Sequence, residues 1–107
     1  MTSLQTCVVL ITAPSQEKAT ELAHALVNEK LAACVNLVPG VRSIYRWEGA
    51  VEDAQEVLML AKTTTDRFDA LHQRVLALHP YQVPEVVRLD IAAGHLPYLD
   101  WVRDSTR

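Results

Sequence analysis

Two runs of strand-forming residues, Leu31–Trp47 and Val51–Thr63, stand on either side of the turn signal Glu48-Gly49. An ordinary strand runs about 5–6 residues, so both runs overshoot what a small sheet uses. The surplus has to project past the core as a two-stranded ribbon, with Tyr45 and Trp47 near its tip. Inside the first run Pro39-Gly40 interrupts the pattern and predicts a bulge or bend. Beyond it the chain alternates, with Val41, Ser43, Tyr45 and Trp47 on one face and Arg42, Ile44 and Arg46 on the other. Large aromatic side chains on a lone ribbon are costly to expose, and free strand edges need protection. The expectation is that neighbouring copies of the chain cover the hairpin in a closed cyclic oligomer.

The rest of the chain fits around this ribbon. Cys7–Ala13 is almost continuously apolar and reads as a strand buried on both faces. Ser15 follows as a helix cap, and Ala19, Leu22, Ala23, Leu26 and Val27 recur at helical spacing. After the ribbon, Asp66 is the expected cap of a second helix whose apolar face is Phe68, Leu71, Val75 and Leu78. Pro80 ends that helix. Val86–Ile91 alternates as a half-buried strand, Val87, Leu89 and Ile91 against Val86, Arg88 and Asp90. Pro97 opens a short last helix anchored by Leu96, Leu99 and Trp101. The order β-α-β-β-α-β plus a terminal helix predicts an α+β fold of the ferredoxin-like, split βαβ kind. It has an antiparallel sheet and forms a single domain over residues 1–107.

A chain of 107 residues with 50% hydrophobic residues builds one core, with a slight apolar excess for another subunit to cover. The net charge of −3 and the scattering of the ten Lys and Arg argue against a nucleic-acid surface. No apolar stretch approaches the roughly 20 residues that span a bilayer, and the start of the chain lacks the basic region of a signal peptide. The expected compartment is the cytoplasm. Cys7 and Cys34 both lie in apolar runs and read as reduced core thiols.

Thr12-Ala13-Pro14, Glu29-Lys30-Leu31-Ala32-Ala33-Cys34-Val35-Asn36 and the segment Pro39 to Gly49 are followed by Glu56 to Thr63, His79-Pro80-Tyr81-Gln82-Val83-Pro84-Glu85 and Tyr98-Leu99-Asp100-Trp101. This ordered set resembles the CutA1 divalent-cation tolerance family from about Cys7 to about Val102. The resemblance implies a ferredoxin-like homotrimer with the long hairpins wrapped between subunits. It also implies a link to tolerance of divalent cations, copper above all. Copper ligands proposed in some bacterial members fall, by position, on Ile11, Leu78 and Glu85. Isoleucine and leucine cannot ligate a metal, so that copper site is expected to be absent. His79 with Glu85 is the remaining candidate for a divalent cation.

The strongest local constellation is the loop from His79 to Glu85, where two prolines stiffen a segment carrying an imidazole, a phenol and a carboxylate. Imidazole with carboxylate suits Zn or Cu, although two ligands need help from a neighbour. The same loop also reads as an intersubunit packing element. Glu56 and Lys62 share a face of the long strand. With Trp47 and Tyr81 they are the candidates for a ligand cleft or interface, in which Lys62 and Tyr81 would receive an anion or the polar head of a metabolite. His24, His72 and His95 read as surface or capping residues. There is no nucleophile elbow or phosphate loop, so no enzyme activity is expected. Three readings follow: a metal-response trimer, a small-molecule sensor resembling the PII signalling proteins, and a structural scaffold.

Overall fold

A computed structural model of the chain describes residues 4–107. The element order is β1 (Thr6–Ala13), α1 (Gln16–Asn28), β2 (Cys34–Trp47), β3 (Ala50–Thr64), a 3-10 turn (Thr65–Arg67), α2 (Phe68–Leu78), β4 (Val86–Asp90) and α3 (Leu96–Ser105). The four strands form one antiparallel sheet in the order β2-β3-β1-β4.

Local chemistry explains most boundaries. The Ser15 hydroxyl accepts from the Lys18 N–H at 3.1 Å and caps α1 as expected. At its other end Lys30 takes a left-handed φ of 59°. This lets the Leu31 and Ala32 N–H groups both donate to the Leu26 carbonyl, at 2.9 and 3.1 Å. Donors spent on the helix end cannot enter the sheet ladder. That is why β2 starts at Cys34 and not at the expected Leu31. Asp66 does not cap α2 either. It lies in the 3-10 turn and accepts from the Thr64 hydroxyl, and α2 begins two residues later. In α3 the buried anchors are Leu99 and Val102. Leu96 and Trp101, expected as anchors, are 62% and 46% exposed. His95 contributes only its carbonyl, to the Leu99 N–H.

Partners across the strands show which face is which. Val9, Ile11 and Ala13 pair with Ala61, Met59 and Val57, and all six are buried. Leu22 and Leu26 of α1 and Leu71 and Val75 of α2 complete this core, with Phe68, Leu78 and Val86 packed at its margin. Val27, read from the helical spacing as part of the α1 stripe, is exposed instead. The opposite face carries Val8, Leu10, Leu58 and Leu60, only half-buried, with Val38, Val87 and Leu89 exposed. Val87 and Leu89, one side of the alternation read from the sequence, are open within this chain.

The Pro39-Gly40 bulge decides the direction of the outer ribbon. Val38 pairs with Leu58 and Val41 with Glu56, so two residues of β2 stand against one of β3. Gly40 takes a φ of 74°, which glycine adopts without steric cost. One inserted residue reverses every side chain that follows. Val35 and Leu37 pack against the core, whereas Val41, Ser43, Tyr45 and Trp47 turn to the open face. At the tip, Glu48 and Gly49 both have positive φ, which makes the two-residue turn whose twist suits a hairpin. The Arg42 guanidinium grips Asp53 across the ribbon at 2.9 and 2.6 Å and holds its carboxyl below the usual range. The molecule measures 50 × 25 × 22 Å. Its radius of gyration of 14.4 Å exceeds the ~13 Å of a compact chain this long, as a projecting ribbon requires.

The two thiols differ in reach. Cys7 is fully buried, and burial pushes its thiol up to about 11. Cys34 is half-buried on the open face. A thiol-specific chromogenic reagent near neutral pH is expected to reach Cys7 only after denaturation, so that any labelling of the native protein falls on Cys34. Equal labelling rates in the native protein would contradict the buried placement.

Candidate functional site

The outer half of β2, the middle of β3 and the loop after α2 enclose a half-open cleft of about 740 Å³. Each wall has a local cause. The bulge brings Ser43, Tyr45 and Trp47 to this side. Glu56 lies on β3 opposite Val41. The loop is delivered by the end of α2, where His79 leaves the helix with an extended ψ of 136°, as a residue before proline prefers.

His79 supports the loop from behind. Its ring is buried, and both nitrogens are engaged by the backbone. Nδ1 accepts from the Tyr81 N–H at 3.1 Å. Nε2 lies 2.7 Å from the Thr12 carbonyl oxygen. An amide N–H only donates and a carbonyl only accepts, so the proton sits on Nε2 and neither nitrogen offers a free lone pair. The Tyr81 ring rests against His79 at 4.6 Å between centroids.

Tyr81 then reaches into the cleft. Its hydroxyl donates to Glu56 Oε2 at 2.7 Å. Burial pushes the phenol well above its ordinary range, and the bond to Glu56 adds to this, so Tyr81 stays a donor at physiological pH. Glu56 is only 9% exposed. Its Oε1 has no protein hydrogen bond, yet no buried polar side-chain atom lacks a partner among the described residues. That oxygen therefore opens onto the cleft. Glu85 and the exposed side chains of Ile44 and Val83 form the rim.

The structure thus gathers Trp47, Glu56, Tyr81 and Glu85 around one cavity. It does not gather Lys62, which lies about 20 Å up the strand from Glu56, six residues at roughly 3.3 Å each. The Lys62 ammonium hydrogen-bonds Asn36, in the row of Cys34 and Val8. The anion site expected for Lys62 with Tyr81 therefore lacks its cation within this chain, and the Tyr81 hydroxyl donates to a carboxylate instead. Ile11 is fully buried and Leu78 packs at the core margin, so the two positions at which the resemblance implied copper ligands belong to the hydrophobic interior. Among the described residues no three His, Cys, Asp or Glu side chains stand together as metal ligands. The donor set does not fit a copper centre.

Sequence reading missed Thr12 and Ser43. Thr12 supplies the carbonyl that holds His79, and Ser43 lines the cleft. The signal for Ser43 was present in its alternation with Tyr45 and Trp47. A backbone carbonyl has no sequence signal.

Comparison with known proteins agrees with this architecture. A family model described as CutA1 divalent ion tolerance protein matches residues 7–105. The divalent-cation tolerance protein CutA of Thermus thermophilus is 62% identical over 99 residues, covering 92% of this chain and 96% of that protein. The human protein CutA is 47% identical over 96 residues, and the match spans 90% of this chain but only 54% of the human protein. The crystal structure of CutA1 from Oryza sativa superposes with a TM-score of 0.96 at 47% identity, covering 100% of this chain and 98% of that one.

Proposed function

This chain belongs to the CutA1 divalent ion tolerance family, and on that premise we propose that it serves cation tolerance as a ferredoxin-like homotrimer whose working part is the cleft between ribbon and loop. The cleft holds a ligand. It does not work as a copper site built on His79 and Glu85. The observation that carries this reading is the commitment of both His79 ring nitrogens to backbone partners, beside a cleft into which the buried Glu56 directs a free oxygen. A metal at His79 would have to displace the Thr12 carbonyl or the Tyr81 amide.

In the proposed trimer a neighbouring copy covers the apolar open face of the sheet and roofs the cleft. Ligand capture between subunits is the logic of a sensor, and the same cleft would serve a trimer that reports on its ligand to a partner. The proposed compartment is the cytoplasm, where free thiols such as Cys7 and Cys34 stay reduced.

The test is thermal unfolding with a small-metabolite panel beside Cu²⁺ and Mn²⁺. A ligand that binds only the folded form stabilises it by about 2.7 kcal/mol at a hundredfold excess over Kd. The expected result is that a metabolite raises Tm of the wild-type protein but not of Glu56→Gln or Tyr81→Phe. Stoichiometric Cu²⁺ binding that survives Glu56→Gln and disappears in His79→Gln would overturn the reading.

A further inference from the structure

The lining of the cleft is divided. Its charged groups are the carboxylates of Glu56 and Glu85, and no Lys, Arg or His lines it. Its walls set Ile44, Val83, Tyr45 and Trp47, exposed by 65%, 68%, 45% and 38%, beside the neutral polar side chains of Ser43 and Gln82. Each candidate class of ligand can be weighed against that division. An anion meets two carboxylates of this chain and no compensating cation from it. A neutral hydrocarbon leaves the Glu56 oxygen, in a residue nine-tenths buried, without the donor that a buried charge calls for. A bare divalent ion asks for six or more oxygens in the case of calcium, or near-octahedral oxygen geometry in the case of magnesium. It would also leave the aromatic walls unused. A volume of about 740 Å³ falls in the range of small-molecule sites.

We propose that the cleft takes a primary alkylammonium ion, with its –NH₃⁺ donating to Glu56 and Glu85 and its hydrocarbon lying against Trp47 and Tyr45. This inference rests on the cleft being the ligand site and names the ligand's class. An ammonium group carries three donors and no acceptor, which matches an acceptor-only pole. Tyr81 holds Glu56 by its other oxygen and aims it. The aromatic faces add cation–π attraction and cover the alkyl chain. The whole ligand is then an amine with an unbranched apolar body, a class that includes diamines and amine-bearing side chains.

The experiment titrates n-hexylammonium, hexan-1-ol, hexanoate and MnCl₂ into the wild-type chain by calorimetry. In parallel, fluorescence is read in Trp101→Phe, where Trp47 is the remaining tryptophan. The expected result is saturable binding of hexylammonium, one per chain, at least about tenfold tighter than hexan-1-ol. A hydrogen bond to a charged group is worth about that much. Glu85→Gln, an exposed and structurally mild change, should weaken hexylammonium at least about tenfold and leave hexan-1-ol unchanged. Glu56→Gln should do the same, with circular dichroism as the check on its fold. Saturable binding of hexan-1-ol, hexanoate or Mn²⁺ with a Trp47 response, equal to or tighter than that of hexylammonium, would overturn the ammonium assignment while leaving the cleft as a ligand site. If no probe binds saturably and Trp47 is silent throughout, both the ammonium assignment and the cleft reading fall.

Discussion

His79→Ala is expected to destabilise the chain by about 2–4 kcal/mol in denaturant unfolding, with or without added metal. The substitution strips a partner from the Thr12 carbonyl and from the Tyr81 amide at once. Each orphaned buried group costs about 1–3 kcal/mol. The loop that carries Tyr81 loses the ring it packs on, so ligand affinity in the cleft should fall as a secondary effect. His79→Gln should recover part of the loss, because a carboxamide also carries both donor N–H groups and an acceptor oxygen on the same side chain. A ligating histidine behaves differently: chelator would lower the stability of the wild-type protein and leave His79→Ala untouched. That pattern would refute the structural role of His79, whereas a metal-independent loss of stability would support it.

Val87→Asp is expected to split the assembly. Val87 is 46% exposed on an edge strand, and in an isolated chain such a surface change stays within about 0.5 kcal/mol. In the proposed trimer the same site is covered, and an unpaired carboxylate there faces desolvation without a partner. Breaking a buried pair, the closest measured analogue, costs 3–5 kcal/mol. Leu10 and Leu60 lie in the same cross-strand row, so the charge would sit beside them at the edge of the apolar face. Analytical ultracentrifugation should give about three times the chain mass of 11.9 kDa for the wild-type protein and a single chain for the variant. An unchanged sedimentation coefficient for Val87→Asp would remove this face from the interface. A wild-type monomer would remove the trimer itself and leave the hairpin aromatics exposed.

Both predictions depend on features with unequal sequence signals. The two long β-runs, the Glu48-Gly49 turn, the Ser15 cap and the break at Pro39-Gly40 were legible because each is a local matter. Alternation reports a strand because successive side chains point to opposite faces. Proline and glycine report a bend because they alter the few backbone angles around them. The family signature was legible for a related reason, since its short segments keep their order and spacing along the chain.

The errors also have local causes. β2 starts at Cys34, three residues after the expected Leu31, because apolar character says nothing about the Leu31 and Ala32 amides being donated to Leu26. Leu96 and Trp101, expected with Leu99 as anchors of α3, are exposed. The helix instead turns the less conspicuous Val102 inward beside Leu99.

The sequence alone determined the elements, their order, the overlong ribbon and the residue types available for chemistry, including side chains at Ile11 and Leu78 that cannot ligate a metal. Which of those residues meet was decided only by tertiary structure. Glu56 and Lys62 share a face of one strand, yet sheet packing sends one into a cleft and the other to Asn36. His79 reads from the sequence as either a ligand or a packing element, and the structure sets its ring against a backbone carbonyl 67 residues away in the chain. Periodicity records the direction a side chain takes from its own backbone. It carries no record of what a distant segment places in front of that side chain, and for His79 that distant group defines the role.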